Sequence, residues 1–371
     1  MKILVTGGAG FIGSHLVDAL VAEGQSVRVL DSLDPQVHGA DADWPSYAQP
    51  RAEYVRGDVR DAEVVGRALD GVEVVIHDAA AVGVAQSMYE IASYISANSL
   101  GAAVLLQEIV AKKTAIKRLV VASSMSIYGE GAYLDSEGRV VSPSLRPDAQ
   151  LEKRQWELVD DAGRALRPIG TPETKPLQPT SVYAVSKRDH EELFLAVGNA
   201  YGIPTVALRY FNVYGSRQAL SNPYTGVAAI FSSRLLNGNR PLVTEDGEQS
   251  RDFVHVSDIV RANLAALRCE AGGGRVCNVG SGRPTTIRRV AELLAERLRV
   301  KIAPDITGKF RAGDIRHCFA DPGHAKRVLG FEVKVRLEDG IDEVIEFARA
   351  QKPRDDAERA QRELVERGLT R

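Results

Sequence analysis

The chain has 371 residues, 44% of them hydrophobic and 26% charged, with a formal net charge of -2. That is ordinary globular composition, long enough for one large domain or for two sharing a cleft. Near-neutral charge gives no general pull toward nucleic acid, and no apolar run reads as long enough to span a bilayer, so neither is expected as a partner.

The chain opens "MKILVTGG", a strand running straight into glycines. No basic stretch, apolar core or cleavage site precedes it, so no signal peptide is expected. Cys269, Cys277 and Cys318 are odd in number and lie late in the chain. They suit buried free thiols in a reducing compartment, and the cytoplasm is the expected location. Neither they nor the seven histidines show zinc-site spacing, so no metal is expected.

"KILVTG" (2–7) reads as the first buried strand, and "VTGGAGFIGSHL" follows it into a helix. Gly8, Gly10 and Gly13 fit G-x-G-x-x-G, while Gly7, Gly10 and Gly13 fit a variant one residue longer. Glycines there allow a tight turn, close approach of a pyrophosphate, and helix–strand packing. The helix N-terminus then offers free N–H groups to the anion. The second strand, "SVRVLD" (26–31), ends at Asp31, whose carboxylate suits the adenosine ribose hydroxyls and repels a 2′-phosphate. NAD is therefore expected rather than NADP; the plain alternative for Asp31 is a turn residue. "AEYVRGD" (52–58) ends at Asp58, a candidate for the adenine amino group with Val59 against the ring, or again simple turn chemistry.

"DAEVVGRALDG", "VEVVIHDAA" (73–81), a helical stretch from Tyr89 to Lys113, and "KRLVVASS" (117–124) continue the alternation. Ser124, at the end of that strand, is the candidate to hydrogen-bond a reacting hydroxyl, with Ser123 the competitor that only lines the pocket. Residues 131–180 carry little periodicity and several prolines, as a functional or flexible loop would. "SVYAVSK" (181–187) then puts Tyr183 and Lys187 on one helical face. A phenol titrates near 10, too high for a base at neutral pH; a neighbouring ammonium and an oxidised nicotinamide ring both favour the phenolate. Such a tyrosine can take a proton while hydride leaves for NAD, and Lys187 can also hold the nicotinamide ribose.

"PTVALRYFN" (204–212) is the last clear strand, and turn-rich segments follow, with "TTIRRVAELLAERL" (285–298) and "LEDGIDEVIEFARA" (337–350) as amphipathic helices. The expected fold is α/β: a Rossmann-type doubly wound parallel sheet with a smaller C-terminal substrate-binding lobe. Residues 1–212 form the dinucleotide domain, and 213–350 the lobe, with some segments returning to the first domain. The charged tail 351–371 reads as a solvated helix or a disordered end.

"TGGAGFIGSHL", "IHDAA", "SSMSIYG", "YAVSK", "RYFNVYG", "RDFVHVSD" and "FRAGD", in that order, resemble the NAD-dependent epimerase/dehydratase branch of the extended short-chain dehydrogenases/reductases. The resemblance spans roughly residues 1–350 and implies a nucleotide-sugar substrate. It implies NAD contacts from Gly7, Gly10, Phe11, Ile12, Gly13, Asp31, Asp58, Val59, Ala79, Ala80, Asn98, Tyr183 and Lys187, and catalysis by Ser124, Tyr183 and Lys187. Ser124 and Asn212 would touch the substrate, and Arg251 and Arg311 would grip its diphosphate through their forks. Asp314 would orient Arg311 or contact the nucleotide ribose. His255 and His77 read as packed structural histidines.

Dehydratases of this branch carry Asp-Glu after the serine/threonine position, whereas this chain has Met125 and Ser126. That favours 4-epimerisation by transient C4 oxidation over dehydration, with a 4-reductase or a non-catalytic NAD sensor as alternatives. Residues 131–180 and "SNPYTGVAAIF" (221–231) resemble the dTDP-L-rhamnose 4-epimerase-like subgroup, with UDP-hexoses open as substrates. Some relatives carry metal-knuckle cysteines in the insertion; none lies between Gly131 and Thr180 here. By the same resemblance a homodimer would pair through 89–112 and 182–201.

Overall fold

Short apolar runs closed by glycine or polar turn residues fold as strands, and the computed structural model joins seven of them in one sheet. It describes residues 1–39, 43–112, 116–224, 226–269, 274–311, 313–351 and 353–371. Lys113, at the end of the expected helical stretch, and Thr225 and Ala312, inside two quoted motifs, lie outside the described residues. The strands are β1 (Lys2–Thr6), β2 (Ser26–Asp31), β3 (Glu53–Arg56), β4 (Val74–His77), β5 (Arg118–Ser124), β6 (Thr205–Tyr210) and β7 (Arg275–Val279). Their order is β7-β6-β5-β4-β1-β2-β3, and every neighbouring pair is parallel. Winding reverses between β1 and β4, and that is where a crevice opens at the carboxyl ends of the strands.

The helices that matter below are α1 (Phe11–Ala22), α2 (Ala62–Ala68), α3 (Ile91–Ala111), α4 (Val182–Tyr201), α5 (Val227–Leu236), α6 (Val256–Arg268), α7 (Ile287–Leu298), α8 (Leu337–Gln351) and α9 (Ala357–Glu366). Alternate residues of β1 show that both faces of the sheet are covered. Ile3 and Val5 join a core with Leu16 and Leu20 of α1 and Ile259 of α6, while Leu4 joins another with Val65 of α2, Leu105 of α3 and Phe194 of α4. This is why the strands read as continuous apolar runs.

Helix α3 is broken by a π-helical turn over Ser96–Leu100. By length and composition alone α3 is apolar enough to cross a membrane, unlike the sequence expectation, but Leu105, Leu106 and Ile109 are buried in the sheet's core. The smaller lobe gathers α5, α7 and α8 around Phe231, Leu294, Ile341 and Val344. Its strands Asn212–Tyr214 and Pro284–Thr286 flank Ser250–His255.

Sequence periodicity leaves out β7, α5 and α6. Arg275 and Asn278 interrupt the apolar run of β7, and Asp258 and Asn263 are buried within α6, so polar residues sit where a simple pattern demands apolar ones. The 131–180 segment is also more ordered than a flexible loop. Ala132–Leu134 pairs antiparallel with Val140–Val141 and with Arg167–Ile169, over a small core of Tyr133, Leu158 and Leu166. Buried Arg146 is bidentate to Glu245 at 2.9 and 2.8 Å, and Arg316 reaches Glu245 at 2.9 Å and Glu157 at 2.5 Å. The tail takes the helical one of the two expected forms, a solvated helix or a disordered end, and this helix, α9, packs down through Ala360 and Leu364 rather than lying wholly in solvent.

Candidate active site

The loop between β1 and α1 turns through Gly7, at φ 72°, and Gly10 N–H closes it onto the Gly7 carbonyl at 3.1 Å. A Cβ on Gly13 would lie 2.2 Å from that carbonyl, and one on Gly7 2.8 Å from the Ala79 backbone, so both positions need glycine. Gly10 is crowded on one side only, by the same carbonyl at 3.3 Å. It caps α1 without a side-chain bond, and the first turn carries no acidic residue. An open glycine cradle under an uncapped helix N-terminus fits the diphosphate of a dinucleotide. Phe11 and Ile12 sit half-buried on the first turn.

The Asp31 carboxylate accepts from Ala9 N–H at 3.0 Å and Leu33 N–H at 2.9 Å, which ties the end of β2 to the glycine loop. Asp58 takes bonds from the Arg60 backbone at 2.8 Å and guanidinium at 2.9 and 2.5 Å. Arg60 holds its carboxyl below the usual range, so the turn reading of Asp58 accounts for its contacts. Val59 packs against α3 where Gly101 leaves it room. Ala79 and Ala80 stand half-buried past the end of β4. Asn98, inside the π turn, fixes that segment by bonding Ala81 N–H at 2.7 Å and Ala81 C=O at 3.1 Å, and it reaches Ser186 at 2.8 Å. A π turn re-aims one side chain without ending the helix.

Ser181 caps α4 by accepting from Ala184 N–H, and the helix buries Tyr183, Ser186, Lys187, His190 and Glu191 on one face. Tyr183 N–H is held by Ser87 Oγ at 3.0 Å, and its phenol is hydrogen-bonded to Ser124. Ser124 also accepts from Ser126 Oγ at 2.9 Å. Ser123 is occupied elsewhere, donating to buried Glu191 at 2.7 Å, which separates the two serines. Ser124, Tyr183 and Lys187 thus come together at the carboxyl edge of the sheet.

The electrostatics differ from the sequence expectation. Burial pushes the Tyr183 phenol up to about 12, against the lowering by Ser124, and the Asp78 carboxylate raises it further. Burial also lowers the Lys187 ammonium to about 8. Burial, Ser124 and Asp78 set the phenol's value and Lys187 is not among the groups that shift it, so the ammonium one turn away does not by itself make the phenol basic.

Two residues in this region escaped the sequence reading. Asp78, half-buried after β4, is raised to about 6 by burial; Lys187 opposes the rise, Asp31 adds to it, and a hydrogen bond from Gly13 N–H opposes it. A lone acid in "IHDAA" looks like a strand-end turn, though it is the one charge in an otherwise apolar motif. His190 Nδ1 lies 3.4 Å from Lys187 Nζ and its ring 4.9 Å from that of His77. Burial lowers His77 to about 3 and His190 well below its usual value, so both are neutral imidazoles. His77 and His255 are packed, as expected of structural histidines, with His255 paired to Glu343 at 3.1 Å.

On the lobe side, the Asn212 amide oxygen is buried with no hydrogen-bond partner among the described residues, a polar atom left for a ligand. Arg251 donates to Asp314 at 3.1 Å and to the Ser250, Ile315 and Arg316 carbonyls. Asp314 therefore orients Arg251, not Arg311 as one expectation had it. Arg311 is exposed, with no side-chain partner among the described residues. Among the described residues no group of three or more His, Cys, Asp or Glu could hold a metal ion.

The sequence pattern described as the NAD dependent epimerase/dehydratase family matches residues 3–149 and 158–280. A dTDP-L-rhamnose 4-epimerase from Burkholderia thailandensis is 38% identical over 346 residues, 92% of this chain and 93% of that protein. A UDP-glucose 4-epimerase from Thermotoga maritima, solved with UDP-glucose, superposes at a TM-score of 0.77 with 33% identity, over 95% of this chain and 99% of the other. The Thermus thermophilus UDP-glucose 4-epimerase, solved with NAD, gives 0.74 and 31%, over 94% of this chain and 99% of the other.

Proposed function

Since the chain belongs to the NAD-dependent epimerase/dehydratase family, we propose that it is an NAD-dependent nucleotide-sugar 4-epimerase whose substrate pair is dTDP-6-deoxy-L-talose and dTDP-L-rhamnose. The observation that carries the reaction type is the Ser124–Tyr183–Lys187 set with Met125 and Ser126 directly after Ser124, so the two positions where a dehydratase of this branch carries Asp-Glu hold no carboxyl. Buried Met125 belongs to the sheet's core.

Held by the glycine cradle of Gly7, Gly10 and Gly13 with Asp31 at its ribose, oxidised NAD would supply a reversible hydride acceptor for the sugar carbon and a positive ring beside the phenol. Tyr183 takes the proton of the C4 hydroxyl as that hydride departs and gives it back after the keto sugar has turned. Ser124 shares its hydrogen bond with the reacting oxygen. Lys187 supplies the cation that, together with the ring, offsets the burial holding the phenol at about 12. Asn212, Arg251 and Arg311 hold the diphosphate while the sugar rotates.

The dTDP-sugar reading is supported by the 38% identical relative and by the 131–180 segment. UDP-hexose is the second reading, supported by the neighbour solved with UDP-glucose. A homodimer through α3 and α4 fits the exposed Ile91, Leu100, Val185 and Tyr201.

The test is to incubate purified protein, with no cofactor added, with dTDP-L-rhamnose and with UDP-glucose, reading the C4 epimer by NMR. Epimer from the dTDP-sugar is the expected result. Epimer from UDP-glucose alone selects the second reading. Turnover that depends on added reduced cofactor would mean a reductase, and NAD binding without any sugar turnover a sensor.

A further inference from the structure

The segment 308–311 ends at Arg311, whose side chain has no partner among the described residues, and its backbone is held from two sides. On one side Glu245 N–H donates to Lys309 C=O at 2.8 Å, and Gly308 N–H to Glu245 C=O at 3.2 Å. On the other side lies the far end of the chain. Phe310 N–H donates to Arg371 C=O and Arg371 N–H to Phe310 C=O, both at 3.0 Å, and Arg311 and Thr370 form an antiparallel bridge.

The segment that returns there is anchored along its length. Tyr224 OH donates to Glu363 at 3.0 Å and receives the Tyr89 hydroxyl at 2.7 Å, while the Arg367 guanidinium lies 4.0 Å over the Tyr89 ring. Thr370 is 4% exposed. Arg371 pairs with Asp148 of the insertion at 2.5 Å, and Trp156 of the insertion packs toward Phe310 at 6.5 Å. Tyr89 follows β4 and Tyr224 precedes α5, so α9 bridges the two sides of the cleft before its end reaches the Arg311 segment.

We propose that Thr370 and Arg371 are positioning residues for Arg311, and that through it they set the affinity for the substrate's diphosphate. This rests on reading Arg311 as a diphosphate ligand of the proposed epimerase. Arg251 is already aimed by Asp314 and three carbonyls, whereas nothing described fixes the Arg311 side chain. Its direction follows from the backbone on which it stands, and half of that backbone's ladder comes from residues 370–371.

Two variants remove the ladder: deletion of residues 368–371, and Arg371→Pro, which takes away one donor while leaving α9 in place. Calorimetry with dTDP and with UDP measures diphosphate affinity, and steady-state kinetics separate KM from kcat. Both variants are expected to weaken the nucleoside diphosphate and raise KM by roughly tenfold, about 1.4 kcal/mol. Retained NAD should stay constant and kcat nearly so. In an Arg311→Ala background the deletion should add no further loss, because both act through one side chain. Unchanged affinity in the variants, an equal added loss in the Arg311→Ala background, or a parallel fall in kcat and NAD content would each overturn the proposal. An Arg311→Ala chain that binds the diphosphates normally would instead remove the reading beneath it.

Discussion

Tyr183 and Lys187 are legible from spacing alone, since two positions one turn apart share a helical face. Their titration is not, because it depends on what folds over them. The phenol sits up at about 12 and the ammonium down at about 8, both through burial. Tyr183→Phe removes the proton carrier but little volume. It should lower kcat by ~10²–10⁴-fold, with nucleoside diphosphate affinity retained in calorimetry; a variant with undiminished turnover would remove Tyr183 from the chemistry. Asp78 invites a second substitution. Its folded value of about 6 lies above the ordinary carboxyl value of 3.8, so the fold favours the protonated form. Stability linked to it is complete below 3.8 and is lost as pH rises through about 6. Asp78→Asn should therefore be more stable than the parent near neutral pH, by about 2 kcal/mol in urea titrations, with the gain vanishing in acid. It also removes the carboxylate that raises Lys187, so the alkaline limb of the pH–rate profile should move to lower pH. No sequence pattern flags this residue, because one acid past a strand looks like a turn.

At the scale of elements, β1 to β6 and α1 to α4 follow from periodicity and turn residues, as does α7 behind its Thr286 cap. The 131–180 insertion does not, because its order comes from charges far apart in the chain. Arg146 and Glu245 are separated by 99 positions and meet fully buried. Glu157 joins them from the surface side, held down at about 2 by His317 and Arg316. Removing one member leaves the others uncompensated in low dielectric, so breaking the cluster costs more than forming it contributes. Glu245→Ala takes from buried Arg146 its one carboxylate among the described residues and from Arg316 one of three, and should cost ~3–5 kcal/mol in denaturant unfolding. A loss below about 1 kcal/mol would mean that water reaches the cluster. Helix α3 carries the same lesson in miniature: its apolar pattern predicts a helix, yet the π turn at Ser96–Leu100 that aims Asn98 toward Ala81 leaves no mark in the pattern.

Across the whole molecule, the chain leaves the large sheet after β6, builds strand Asn212–Tyr214 and α5, and returns through α6 and β7 before completing the smaller lobe. Composition and the early alternation predict the sheet but not this return, because β7 joins it beside β6 from a region dominated by turns. Neither lobe can come apart without pulling a strand or helix from the other. Calorimetric unfolding should therefore show one transition, moved upward by NAD in excess over its dissociation constant. Two resolved transitions, with only one responding to NAD, would mean that the lobes unfold independently.

The three free thiols turn this architecture into its own stopwatch. Cys269 ends α6, Cys277 lies inside β7, and Cys318 sits opposite Arg251 on the paired strands of the lobe. They are 8%, 0% and 1% exposed, and burial pushes Cys277 and Cys318 up to about 12. An aromatic disulfide reagent can meet each sulfur only when the backbone around it opens. Labelling should run fastest at Cys269 and slowest at Cys277, and saturating nucleoside diphosphate should slow Cys318 selectively.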